Sequence, residues 1–169
     1  MPLGPIAASV TLTTDAPRAF VWRAFETPQR WPEVLRDVAE AWIEPDGRLT
    51  PGAVLRSRAV PGTMAVDMAY SVLEAEPPHH LVTTSRAAGF DARSDYRFVE
   101  GPRGGTQVTL AATVRAASAP MRLYIAITRQ RHVELVESSL RRRLQPMLAL
   151  AESLWREDAE LKEHGPSPG

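Results

Sequence analysis

FDARSDYRFV, residues Phe90–Val99, alternates without a fault: Asp91, Arg93, Asp95 and Arg97 fall on one side, and Phe90, Ala92, Ser94, Tyr96 and Phe98 on the other. Successive side chains of a β-strand point to opposite faces, so this stretch has one wet face and one buried face. A slip of one residue would drive four charges into the interior, which fixes the register firmly. The segment is therefore a strand of a sheet covered on one side only.

Working outward, six more segments read the same way: Ala8–Thr14, Val38–Glu44, Ala53–Val60, Met64–Glu74, Leu81–Ala88 and Thr106–Arg115. In the first, Val10 and Leu12 alternate with Ser9, Thr11 and Thr13. Asp46-Gly47, Pro61-Gly62, Pro77-Pro78, Gly89 and Gly104-Gly105 stand between the others. Connections this short, with turn-forming residues, predict an antiparallel meander. After the first strand, Asp15 is expected to cap a short helix with Pro17 in its first turn, grouping Phe20, Val21, Ala24 and Phe25 on one side. Pro28 and Pro32 then bracket Trp31 in a second short helix or turn reaching about Arg36, with Trp31 as its apolar plug.

Near Ala119 the period changes from two to the helical repeat, which runs from Pro120 to about Lys162. Val133, Val136, Leu140, Leu144, Met147, Ala151 and Leu154 form one stripe, and Pro146 predicts a kink near Arg142 or a break there. The fold class is α+β: a curved seven-stranded antiparallel sheet, two short helices and a long C-terminal helix, in the order β-α-α-β6-α. One domain spans residues 7–162, between flexible ends at 1–6 and 163–169.

Composition excludes several function classes. Lys plus Arg and Asp plus Glu number 20 each, so no overall positive field favours nucleic acid. Only Lys162 is a lysine, so a single arginine needs positional support before it counts as an anion site. With no cysteine, disulfides and thiolate chemistry are ruled out. No run of about 18 apolar residues occurs, and Met1–Pro5 has no leader pattern, which predicts no membrane insertion and a cytoplasmic location. No G-x-S-x-G elbow and no His pair at helical spacing is present, so no metal or other cofactor is expected. His79 and His80 read as surface residues of a turn, and Gly101, Gly104 and Gly105 as a hairpin turn.

The inward strand positions are unusually small, with many Ala, Ser and Thr, and interiors normally pack to crystal-like density. The expectation is a cavity between the sheet and the last helix. Its lining is Met64, Met68, Tyr70, Tyr96 and Phe98, with hydroxyls from Thr83, Ser85 and Ser94, and with Val133 and Val136 from the helix. Arg129, able to grip a carboxylate or phosphate bidentately, and His132 would stand at its mouth. Of Arg141, Arg142 and Arg143, at least two should be solvated, because the three span a wide arc. No titratable group lies on the inward strand positions, which favours binding over proton-transfer catalysis.

FVWRAFETPQRWPEVL (20–35), GRLTPGAVLRS (47–57), VLEAEPPHHL (72–81) and GGTQVTL (104–110), in that order, resemble the SRPBCC superfamily, which includes START and Bet v 1-like proteins. The likeness extends from about Ile6 to Trp155 and is greatest to the polyketide cyclase/dehydrase and lipid-transport branch. The resemblance implies a helix-grip fold and ligands such as lipids, polyketides, quinones or hormones. It does not imply one reaction, and no catalytic residue of the family maps by motif onto a position here. The reading is a carrier or sensor of a small hydrophobic molecule, monomeric or homodimeric. One alternative is a cyclase or dehydratase using Tyr70, Tyr96 or His132. Another is a chaperone-activator-like module presenting its outer sheet face or Trp42.

Overall fold

The computed structural model describes residues 4–165. Its elements are β1 (Ile6–Thr14), α1 (Arg18–Glu26), a 3₁₀ turn (Pro28–Glu33), β2 (Val38–Glu44), β3 (Val54–Ala59), β4 (Met68–Glu76), β5 (His80–Ala87), β6 (Phe90–Glu100), β7 (Thr106–Ala116), α2 (Ala119–Ile127) and α3 (Arg129–Glu163). The seven strands form one antiparallel sheet in the order β1-β7-β6-β5-β4-β3-β2. Strands β2 to β7 are the meander that the turn chemistry predicts, and β1 returns to pair with β7 from Ile6↔Val114 to Thr14↔Thr106. Of the ends expected to be flexible, residues 1–3 and 166–169 lie outside the described residues, whereas Ile6 is the first residue of β1.

The alternation of β6 works as its sequence demands. Phe98 is 1 % exposed and sits in an aromatic cluster, its ring centroid 6.0 Å from Trp22 and 5.7 Å from Phe25. Helix α3 lies over β1 and α1, burying Leu140, Leu144, Met147, Leu148, Leu150, Ala151 and Leu154. A smaller apolar cluster of Ile6, Ala116 and Ile125, with Phe90, Val133 and Val136 against it, occupies the other end.

Four local expectations are corrected. Strand β4 begins at Met68, four residues later than the alternation suggests, because Asp67 Oδ1 accepts the Ala59 amide at 2.9 Å and holds 60–67 as a loop. Asp15 is exposed and caps nothing. The Thr14 hydroxyl takes over at that bend, accepting from the Ala16 amide at 3.2 Å and donating to Glu152 Oε1 of α3 at 2.7 Å. Of the kink or break expected at Pro146, the break does not occur there, since Pro146 lies inside α3; the helix is interrupted at Thr128, whose hydroxyl donates to the Tyr124 carbonyl at 2.9 Å. Pro146 removes only the donor for the Arg142 carbonyl, on the exposed side of the helix, where water can replace it. Finally, His80 is the first residue of β5 rather than a free loop side chain, with Nε2 3.0 Å from Asp95 Oδ1 on the outer sheet face.

Candidate functional site

The space between sheet and helix is a cleft under the middle of α3. Tyr70 of β4, Thr83 of β5 and Tyr96 of β6 form its floor, and Leu55 of β3 and Leu81 of β5 lie beside them. Phe25 and Trp31 close one side, and Arg143, Leu144 and Met147 form the roof. Trp31 is held in place by its indole N–H, which donates to the Ala24 carbonyl at 2.9 Å. The free volume is about 20 Å³, enough for one water molecule and far below that of a drug-sized guest. The space is thus much narrower than the small inward residues suggest, because the large side chains of Phe25, Tyr70, Tyr96, Arg143 and Met147 fill it. A larger hollow of about 720 Å³ lies on the outer face, but it is open to solvent and edged by Arg86, Asp91, Arg93 and Arg115. An open hollow of this kind does not enclose an apolar guest.

The expected lining residues separate into groups. Tyr70, Thr83 and Tyr96 face the cleft, and Phe98 is buried in the aromatic cluster next to it, its ring 6.4 Å from that of Tyr96. Met68, Ser85 and Ser94 are half-buried, and Val133 and Val136 are likewise half-buried on α3. Met64 does not belong to this set: it is fully exposed in the loop before β4, since the strand it was assigned to starts later. Arg129 does not stand free at a mouth; its guanidinium donates to the Pro5 carbonyl at 3.2 Å. His132 is half-buried, edge-on to Tyr124 at 5.7 Å, and its Nε2 is buried without a partner.

The residue that sequence reasoning missed is Arg143. Arg141 and Arg142 are exposed, as the arc of three arginines requires, but Arg143 is partly buried and enters the cleft. Its guanidinium carbon lies 4.4 Å from the centroid of the Tyr70 ring, a cation–π contact. Because it covers the ring face, it does not meet the Tyr70 hydroxyl in hydrogen-bonding geometry, and that buried hydroxyl has no partner. A signal existed: Leu140, Arg143, Met147, Leu150 and Leu154 follow the three-four spacing of a buried helix face.

Burial pushes the Tyr96 phenol above the ordinary tyrosine range, with Arg143 pulling weakly the other way. Tyr96 is therefore neutral at physiological pH, a donor and not a base. Its raised pKa stabilises the fold fully below the pKa of an unfolded tyrosine, about 10. That contribution disappears as pH rises toward the folded value. We expect absorbance titration to show one phenol ionising later than free tyrosine, and Tyr96→Phe to remove that late phase. Tyr70→Phe deletes a buried hydroxyl that bonds to nothing, so it should leave stability unchanged or raise it by up to about 1 kcal/mol in urea unfolding.

Residues 5–152 match the family model described as polyketide cyclase / dehydrase and lipid transport. The chain belongs to that family. Solved structures share the fold of this family member at low identity. The di-domain ARO/CYC BexL from the BE-7585A biosynthetic pathway is 22% identical with a TM-score of 0.66, covering 90% of this chain, which spans 50% of BexL. A START superfamily protein from Mycobacterium smegmatis is 15% identical with a TM-score of 0.65, covering 88% of this chain and 99% of its own. Norcoclaurine synthase from Thalictrum flavum, in complex with dopamine and hydroxybenzaldehyde, is 14% identical with a TM-score of 0.61, covering 89% of this chain and 90% of its own. No curated protein matches this chain in sequence. The helix-grip fold implied by the resemblance is thus the observed one, and among the described residues no helix is long and apolar enough to cross a membrane.

Proposed function

We propose that this family member binds a small hydrophobic molecule between its sheet and α3. The observation that carries this reading is the incomplete sealing of the interior. The inward-facing Met68, Ser85, Phe90 and Ser94 are only half-buried, while the floor residues Tyr70, Thr83 and Tyr96 further along are buried. The nearby helix α2 buries Ile125 alone and leaves Met121, Leu123, Tyr124 and Ile127 exposed, so little packing holds it down. Outward movement of α2 and the start of α3 would widen the narrow cleft at modest cost, since few buried contacts would break. A guest of about 300 Å³ or more requires that movement.

Native mass spectrometry of protein purified from its source is expected to reveal a co-purifying apolar molecule. Titration with the uncharged fluorophore N-phenyl-1-naphthylamine is expected to saturate at one site. An empty protein that binds no apolar probe ends the proposal.

A second reading, a cyclase-like enzyme, is favoured by the adjacency of Arg143 to Tyr70 and Tyr96, which together could polarise a carbonyl oxygen. His132 does not belong to such a centre, since it precedes Arg143 by eleven residues on α3, about 16 Å along the axis. Turnover unaffected by Tyr70→Phe, Tyr96→Phe and Arg143→Met would remove this reading.

A further inference from the structure

We infer that the cleft selects guests whose apolar body carries an acidic oxygen, a carboxylate or an enolate, and that Arg143 is the group that selects them. The inference rests on the binding reading above and adds the chemistry of the guest.

A guanidinium is charged at every physiological pH and carries five N–H donors with no acceptor. Withdrawing such a group from water is costly unless an anion or a set of acceptors meets it. Around Arg143 no anion is present: among the described residues it forms no ion pair, and the acceptors beside it are the neutral hydroxyls of Tyr70 and Tyr96. Asp37 acts on it only at a distance. Stacking on the Tyr70 ring, with the guanidinium carbon 4.4 Å from its centroid, offsets part of the cost without balancing the charge.

The neighbouring polar atoms deepen the imbalance. The Tyr70 hydroxyl is buried and unpartnered, and Tyr96 is a neutral phenol whose pKa burial raises. One cation and three hydroxyls, those of Tyr70, Thr83 and Tyr96, thus gather in an otherwise aliphatic and aromatic cleft that holds no carboxylate. The missing partner is an anionic acceptor, which balances the charge. The free space of about 20 Å³ beside these groups accommodates one water, which a guest's oxygen would replace. A guest with a cationic head is excluded by the same charge, and a pure hydrocarbon leaves that charge unbalanced.

The test compares two matched probe pairs on the full chain by calorimetry: dodecanoate against dodecanol, and 1-naphthoate against 1-naphthalenemethanol. For the unmodified protein, each acid is expected to bind at least about 10-fold more tightly than its alcohol, as a charge-assisted pair requires. In Arg143→Met the acids should lose that advantage while the alcohols keep their affinity; Arg143→Lys should restore part of it. Circular dichroism and thermal unfolding of both variants establish that the fold is intact. Equal binding of acid and alcohol by the unmodified protein would overturn the inference, leave the binding reading standing, and assign the polar cluster to a structural water only. A preference for acids that persists in Arg143→Met would also overturn it, as the selecting group would lie elsewhere. Binding of none of the four probes would count against the binding reading itself.

Discussion

Phe98→Ala is expected to lower the unfolding free energy by about 3–5 kcal/mol, measured as a shift of the urea midpoint with little change in slope. Phe98 is 1 % exposed, and its ring meets Trp22 edge-on at 6.0 Å and Phe25 at 5.7 Å, with Tyr96 stacked at 6.4 Å. Truncation removes the transfer energy of the ring and leaves a void among aromatic neighbours that are fixed by the sheet on one side and by α1 on the other. Small domains have about 5–15 kcal/mol in total, so this single change approaches the limit of folding. A cost below about 1 kcal/mol would mean that α1 is not docked on β6 as described.

Gly105→Ala is expected to cost about 1–3 kcal/mol by the overpacking route. A Cβ at Gly105 would collide with the Thr14 carbonyl oxygen and press on Asp15 Cα at 3.1 Å and the Pro102 carbonyl at 3.3 Å. All three are backbone atoms, so no rotamer change relieves the contact. The position needs the absence of a side chain, not an unusual dihedral, since its φ of −76° suits any residue. Neighbouring Gly104 is the converse case: nothing lies within 4 Å of its Cβ position, and its φ of +77° makes Ala cost about 1–2 kcal/mol by conformation alone. Thermal unfolding of the two variants, alone and combined, should show separate contributions. A Gly105→Ala protein as stable as the parent would contradict the close approach of β1 to the β6–β7 turn.

The sheet was legible wherever charged and apolar side chains alternate, because burial of one face permits one register only. Strand β6 is the best case, and its charged residues lie away from the core as its sequence requires. Between Pro61 and Asp67 the same reading failed. Met64, Val66 and Met68 alternate, but a side-chain-to-backbone bond from Asp67 keeps the first two in a loop, and the pattern carries no trace of that competition. The helix break at Thr128 was hidden for a similar reason. Ala119–Ile127 is apolar apart from Arg122, so periodicity could not separate it from the amphipathic run that follows. Within the candidate site, Tyr70, Thr83 and Tyr96 were found from strand alternation. Arg143 was passed over because it was weighed with Arg141 and Arg142 as a triplet, when its place on the buried spacing was the informative fact. The width of the interior was the least legible property, since strand alternation does not show which large side chains from α1 and α3, such as Phe25, Arg143 and Met147, fill the space over the small ones.

The pairing of β1 with β7 has a consequence for how the protein is made. Ile6 meets Val114 and Thr14 meets Thr106, so the ladder partner of β1 is translated roughly a hundred residues after it. At about 5–20 residues per second, the ribosome leaves that first segment single for about 5–20 seconds. Throughout that interval the nascent chain carries a segment with one apolar face and unpaired backbone groups, the kind of surface that chaperones engage and that aggregation exploits. Closure of the sheet is thus a late, long-range event in biosynthesis, and sequence changes in β7 should act on the yield of native protein as strongly as on its final stability.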